Sequence, residues 1–193
     1  MKKKTKTRVR YLIIHKINMT KELIIEKIYK AYSTFLASDV YLLNVNANER
    51  SITHKFAEYL QREFSEWNVD CEYNKNLYDG KTVTVWERKR NELLLTLESE
   101  ISKKQRSTIE KVLDGGISIY PDIIIHHRGT IDNLVVIEAK KNNFAGIDYD
   151  EEKLQAYIIE QDLMYQYAFK VTFPIGEILS NFDINENIRE ITI

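Results

Sequence analysis

Three charged residues stand where charge is unfavourable. Asp122, Glu138 and Lys140 sit at the ends of two apolar runs, Ile123-Ile124-Ile125 and Leu134-Val135-Val136-Ile137. A polar stretch, Arg128-Gly129-Thr130-Ile131-Asp132-Asn133, separates the runs, so Tyr120–Lys141 reads as two strands joined by a tight turn. Folded about Thr130, this hairpin sets Asp122 opposite Glu138, and directly opposed side chains have Cβ atoms roughly 4.5–5.5 Å apart. Glu138 and Lys140 are two apart on one strand and share a face. Two carboxylates and an amine then meet in one patch. Carboxylates that close repel unless one takes a proton or a cation lies between them. An oxygen-seeking divalent cation is the simplest remedy. A bulge in either strand would turn one of these side chains to the other face.

The rest of the chain has to position that patch. At 193 residues, 44% hydrophobic and 30% charged, it has the make-up of one ordinary globular domain with a real core. Six glycines and two prolines are too few for long flexible linkers. A net charge of −1 excludes coating nucleic acid by bulk charge and leaves room for a local basic patch. The lone Cys71 cannot form an intramolecular disulfide, which fits a reducing, cytoplasmic setting. No apolar run approaches the ~18 residues of a membrane span. Tyr11-Leu12-Ile13-Ile14 is too short for a signal-peptide core, so no membrane partner is expected.

Along the chain, Arg8–Ile17 reads as a short strand or an extended arm. Its basic residues, from Lys2, Lys3, Lys4 and Lys6 to Arg8 and Arg10, are either a solubilising tail or a phosphate-contacting arm. Thr20–Leu36 reads as a helix capped by Thr20, with a stripe of Leu23, Ile24, Ile28, Ala31 or Tyr32, and Phe35. Tyr41-Leu42-Leu43 suggests a further turn. Asn48–Trp67 reads as a second helix, with Ile52, Phe56, Leu60 and Phe64 on its core face. That stripe, extended backwards, lands on Glu49. An acid there either complements the helix dipole or points inward near a metal.

Val69–Tyr73 alternates like a strand, Asn74–Lys81 is a loop turning at Asp79-Gly80, and Thr82–Trp86 suggests another short strand. Glu87–Leu113 reads as a long charged helix or helical pair ending at Gly115-Gly116. It carries Leu93, Leu94, Leu97 and Ile101 on one stripe and Ile109, Val112 and Leu113 on another. Its basic clusters, Arg88-Lys89-Arg90 and Lys103-Lys104 with Arg106, are either a solvated face or a contact for nucleic acid or a partner. After the hairpin come a loop, Asn142–Tyr149, a helix, Asp150–Leu163, and a strand, Tyr165–Phe173, stopping before Pro174. Gly176–Ile193 is weakly patterned, with Phe182, Ile184, Ile188, Ile191 and Ile193 available to cover the core. The expected class is α/β, a small mixed sheet between helices.

The string Pro121-Asp122, fifteen residues, then Glu138-Ala139-Lys140 resembles the PD-(D/E)XK nuclease superfamily. The likeness extends over residues 20–173. It includes Asn48-Glu49-Arg50-Ser51-Ile52-Thr53-His54, Val69–Asn74 and Tyr120–Gly129, which are similar to small bacterial and phage-type members. It implies a restriction-endonuclease-like αβββαβ core within a single domain, residues 1–193, with 87–113 a charged helical insertion. It implies Asp122 and Glu138 as metal ligands, with the Ala139 carbonyl and Glu49 adding to the set, and Lys140 as the residue that positions or helps deprotonate the attacking water. The cofactor implied is Mg²⁺, for which Mn²⁺ substitutes. The activity implied is phosphodiester hydrolysis of nucleic acid, most naturally DNA.

Elementary chemistry agrees. Hydrolysis of a phosphodiester needs an activated water and cations that neutralise charge on the phosphorus oxygens, and Mg²⁺ does both. Mg²⁺ takes one or two carboxylates plus waters and phosphate. Zinc is disfavoured, because there is no cysteine pair and the four histidines lack ligand spacing. Two other functions remain open: a catalytically silent module that grips nucleic acid or a protein partner, and an RNA-directed defence nuclease. A homodimer is compatible with cutting both strands of a duplex.

The remaining polar residues have quieter expectations. His126-His127-Arg128 reads as an exposed turn, or a phosphate contact. His54 is a surface histidine or an entrance residue. Lys153 and Gln155 are positions for polar groups that support the site. Asp148 and Asp150 suit a helix cap. Lys141 is expected to be solvated or at a phosphate. The Gln161…Tyr165 spacing resembles an exonuclease-type variant. Cys71 is expected in the core.

Overall fold

A mixed sheet runs through the centre of the protein and carries the hairpin. The computed structural model describes residues 19–77, 79–141, 147–176 and 183–192. The basic arm, residues 142–146 of the loop after the hairpin, Phe182 and Ile193 lie outside these residues.

In chain order the elements are α1 (Lys21–Asp39), α2 (Tyr41–Asn44), α3 (Glu49–Glu63), β1 (Asn68–Cys71), β2 (Lys75–Asn76), β3 (Asp79–Gly80) and β4 (Thr82–Val83). Then follow α4 (Glu87–Glu98), α5 (Lys103–Gly115), β5 (Ile117–Ser118), β6 (Ile123–His126) and β7 (Asn133–Lys141). The chain closes with α6 (Ile147–Ile159), β8 (Tyr167–Phe173), α7 (Ile184–Asn187) and β9 (Ile188–Ile191). The sheet order is β1-β6-β7-β8-β9, with β7 and β8 parallel and the other pairs antiparallel. This is an α/β protein.

The hairpin register is the expected one where it matters. Ile123 pairs with Ile137, Ile124 with Val136 and Ile125 with Val135. One further step along both strands sets Asp122 beside Glu138. A bulge does occur, between Ile125 and His126, but at the turn end, so the charged end keeps its faces.

Alternation assigns the two faces of the sheet. Ile123, Ile125, Val135, Ile137 and Ala139 face α1 and α3, and Ile124, Val136 and Ala168 face α6. On the first side, Thr20 caps α1 by accepting from Leu23 N–H, and Ile24, Ile28, Ala31, Tyr32 and Phe35 are buried. Leu23, expected in that stripe, is 41% exposed, because Ile24 takes the core-facing position of the first turn. Tyr32, Phe35, Phe56 and Phe173 interlock, with ring centroids 5.3–6.3 Å apart. Asn48 caps α3 by accepting from Ser51 N–H. That helix stops at Glu63 rather than Trp67, since Phe64 leaves the helical region at φ −104°, ψ 51°. Phe64 and Trp67 still pack in the core.

Three further stretches gain detail. The Asn74–Lys81 loop contains the small β2–β3 hairpin. Glu87–Leu113 is a helical pair, and neither α4 nor α5 buries a residue, so its apolar stripes do not enter the core. Gly116, at φ +82°, follows it, and a Cβ there would meet the Val83 carbonyl at 2.7 Å, so only glycine fits beside β4. The weakly patterned C-terminal stretch supplies the edge strand β9. Its buried Ile188 and Ile191 lie against opposite faces of the sheet, which hides the alternation that marks a strand.

Phe56 contacts three aromatic neighbours at no exposure, so Phe56→Ala is expected to lower the unfolding free energy by about 3–5 kcal/mol in urea titrations. Arg90→Ala, at an exposed position of α4, is expected to change it by less than about 0.5 kcal/mol.

Candidate active site

The charged end of the hairpin brings the motif residues together. Asp122 lies just before β6, where its Oδ2 accepts from Ala139 N–H at 2.8 Å. Glu138 and Lys140 project from β7 on the face covered by α6. Glu138 is 1% exposed, and its Oε1 forms an ion pair with Lys153 Nζ of α6 at 2.7 Å. Lys153 Nζ also donates to the Tyr120 carbonyl at 3.4 Å. Burial, reinforced by the Asp122 charge, pushes the Glu138 carboxyl up to about 8, in spite of Lys153 and Lys140. Burial likewise raises Asp122, against the Ala139 N–H and the two lysines, with Glu49 adding to the rise. The two opposed carboxyls thus both resist ionisation.

Glu49 arrives from the other layer. It opens α3, and its Oε1 accepts from Lys140 Nζ at 3.3 Å while its Oε2 accepts from Lys141 N–H at 3.3 Å. It is therefore more than a dipole partner for its own helix: it closes over the end of β7. Burial lowers the Lys140 ammonium, but Asp122, Asp150, Glu49 and Glu138 outweigh burial and hold it above its ordinary value. Lys141 is not simply solvated. Its Nζ donates to Asn46 Oδ1 at 2.6 Å and the Ala47 carbonyl at 2.9 Å, tying the strand end to the turn before α3.

Two members of the patch were not singled out from the sequence as site residues. Lys170 of β8 is the register partner of Glu138, and Asp150 reaches it from α6 at 3.7 Å. Both are buried. Asp150 is not a helix cap, since α6 begins three residues earlier, at Ile147. The signal for Lys170 was the one that marks Glu138, a charge inside an apolar run, here Phe169-Lys170-Val171. Of the two expected supporting residues, Lys153 is in the patch. Gln155 instead donates to the Thr192 carbonyl. The side chain of Asp148 lies outside the described residues.

In front of the patch, a cleft of about 240 Å³ is lined by Glu49, Arg50, Thr53, His54, Glu72 and Asp122. His54 is thus at the entrance, and Arg50 pairs with Glu72 at 2.8 Å.

The far end of the hairpin is structural. His126, expected in an exposed turn, is buried, and its Nε2 lies 2.8 Å from Asp70 Oδ2. Arg128 grips the same carboxylate through two nitrogens. Arg128 and His126 overcome the burial of Asp70 and hold its carboxyl below the usual range. Near them Lys81 is buried between the Tyr73 and Tyr165 rings, and burial takes its ammonium down to about 7. His127 stacks on Trp67 with centroids 4.0 Å apart. Gln161 is exposed in the turn after α6 while Tyr165 is buried, so the two do not meet in one site. Cys71 packs against the core, and burial beside Asp70, Glu72 and Asp122 pushes its thiol up to about 12.

Comparison with protein-family models, with curated proteins and with solved structures finds no match. Among the described residues no three His, Cys, Asp or Glu side chains lie close enough together to hold a metal ion. Glu49 is turned to Lys140, and Glu138 to Lys153. The donor chemistry nonetheless suits a hard divalent cation. Asp122 and Glu138 are oxygen donors side by side, each raised in pKa by burial and by the other acids, and a cation between them would favour their ionised forms.

An acid whose pKa is higher folded than unfolded binds more protons when folded. Its contribution is present below its unfolded value of 4.5 and is lost as pH rises through about 8. In EDTA, the unfolding free energy is therefore expected to fall from about pH 5 to about pH 8, by a few kcal/mol, and Glu138→Gln is expected to remove most of that fall in chemical denaturation.

Proposed function

We propose that this chain is a metal-dependent nuclease of the PD-(D/E)XK class, hydrolysing phosphodiester bonds in nucleic acid, DNA foremost. The observation that carries the reading is the opposition of Asp122 and Glu138 across β6 and β7, with Lys140 on the same face and Glu49 closing over the strand end. The succession α3, β1, β6, β7, α6, β8 follows the αβββαβ order of that class.

In this reading Asp122 and Glu138 hold Mg²⁺ or Mn²⁺, with the Ala139 carbonyl and Glu49 completing the protein's share. Such an ion, when bound, neutralises charge on the scissile phosphate and acidifies a water. Lys140 is kept protonated by the carboxylates around it, which favours positioning the attacking water and meeting phosphate charge over acting as a base. Lys153 steadies Glu138 as long as the carboxylate has no other cation. Ala139 N–H orients Asp122. Two copies would present two sites to the two strands of a duplex, and the lone Cys71 suits a reducing cytoplasm.

A second reading, a silent module that grips nucleic acid or a protein, is favoured by one observation. Each carboxylate already has a protein partner: Lys153 for Glu138, Ala139 N–H for Asp122, Lys140 for Glu49.

Incubation with plasmid, single-stranded DNA and RNA separates the readings. Cleavage is expected in Mg²⁺ and Mn²⁺ and not in EDTA, and Asp122→Asn and Lys140→Ala are each expected to slow it by about 10²–10⁴-fold. Equal cleavage by wild type and both variants, or none in any metal, removes the nuclease reading.

A further inference from the structure

Away from the hairpin site, a second cleft of about 810 Å³ opens between α4 and α6. Two aliphatic side chains stand in it uncovered: Leu95 is 67% and Ile159 59% exposed. Its charged lining is Glu87, Glu92, Glu152 and Glu160 against a single Arg88. Lys89 pairs with Glu92 at 3.0 Å, and Thr84 donates to Glu160, but Glu152 is poorly served. Arg88 lies 4.0 Å from its Oε1, and its buried Oε2 has no hydrogen-bond partner among the described residues. Nor does the buried indole N–H of Trp86, in the same wall. Exposed aliphatics ringed by carboxylates suit an occupant that is both apolar and cationic.

This chain carries such a segment. Residues 1–18 hold seven of the 28 Lys and Arg and none of the 29 acids, and the remaining 21 bases leave residues 19–193 at a formal −8. The cations from Lys2 to Arg10 run directly into Tyr11-Leu12-Ile13-Ile14. The point of departure is also near. Lys21, at the start of α1, pairs with Glu190 of β9 at 2.6 Å. Two residues on, the Thr192 carbonyl accepts from Gln155, which lines the cleft. Eighteen residues can reach up to roughly 60 Å when extended.

We propose that residues 2–14 of this chain dock in the α4–α6 cleft. The Lys and Arg side chains meet Glu87, Glu92, Glu152 and Glu160, and Tyr11–Ile14 covers Leu95 and Ile159. The proposal does not depend on nuclease activity.

Carbodiimide cross-linking of the full-length protein at low concentration, with mass-spectrometric mapping, tests it. Expected are links from Lys2, Lys3, Lys4 or Lys6 to the cleft glutamates within monomers. The paired change Leu95→Ser and Ile159→Ser, which removes the apolar contact without adding charge, is expected to cut their yield by roughly tenfold, as loss of about 1.4 kcal/mol of contact would. Arg8→Glu with Arg10→Glu, which leaves the cleft lining unchanged, is expected to lower it as well. Links scattered over acids elsewhere, links found only in dimers, no links at all, or yields unchanged in both paired variants would overturn the proposal.

Discussion

Glu138 is a carboxyl group with no access to water, placed beside a second carboxyl on the neighbouring strand. Everything around it answers that constraint. Lys153 comes down from α6 to pair with it, and Lys140, two residues along the strand, adds a second cation. Asp150 and Lys170 continue the alternation of sign across the same face. The patch is close to neutral, so it can be buried, but it is neutral only through pairing. Removing one partner would leave a buried charge uncompensated, which is strongly destabilising. Such an arrangement is a weak source of stability.

The fold makes that patch geometrically possible. The five strands keep their faces in step from one to the next, so the two faces stay distinct. One face is closed by α1 and α3 through the aromatic cluster around Phe56. The other is covered by α6, and there the apolar cluster ends where the charged patch begins. Glu49 joins from the first layer only because the hairpin strand ends beside the first turn of α3. The helical pair α4–α5 takes no part in the core, so it is free to shape a separate surface.

Much of this was legible in the chain. Helix stripes, caps at Thr20 and Asn48, and the hairpin register followed from period and turn chemistry. The convergence of Asp122, Glu138 and Lys140 followed from that register. What stayed hidden depended on the third dimension. Lys170 became a neighbour of Glu138 through parallel pairing across a helix-long crossover, which no local pattern encodes. Asp150 looks like a cap in the chain because the loop before it carries no clear helix start. His126 looked exposed beside a turn, whereas the bulge and the Asp70 partner on β1 draw it inward. The edge strand β9 lacked alternation because its two isoleucines serve opposite faces.

In the proposed nuclease, the half-buried Asp122 and the buried Glu138 across the hairpin form one site for a divalent cation. Calorimetric titration of Mn²⁺ into the metal-free protein near the Glu138 pKa of about 8 tests it most directly. Saturable binding is expected for the wild type, and its loss in both Asp122→Asn and Glu138→Gln. Absence of binding by the wild type, or equal binding by the variants, would contradict it.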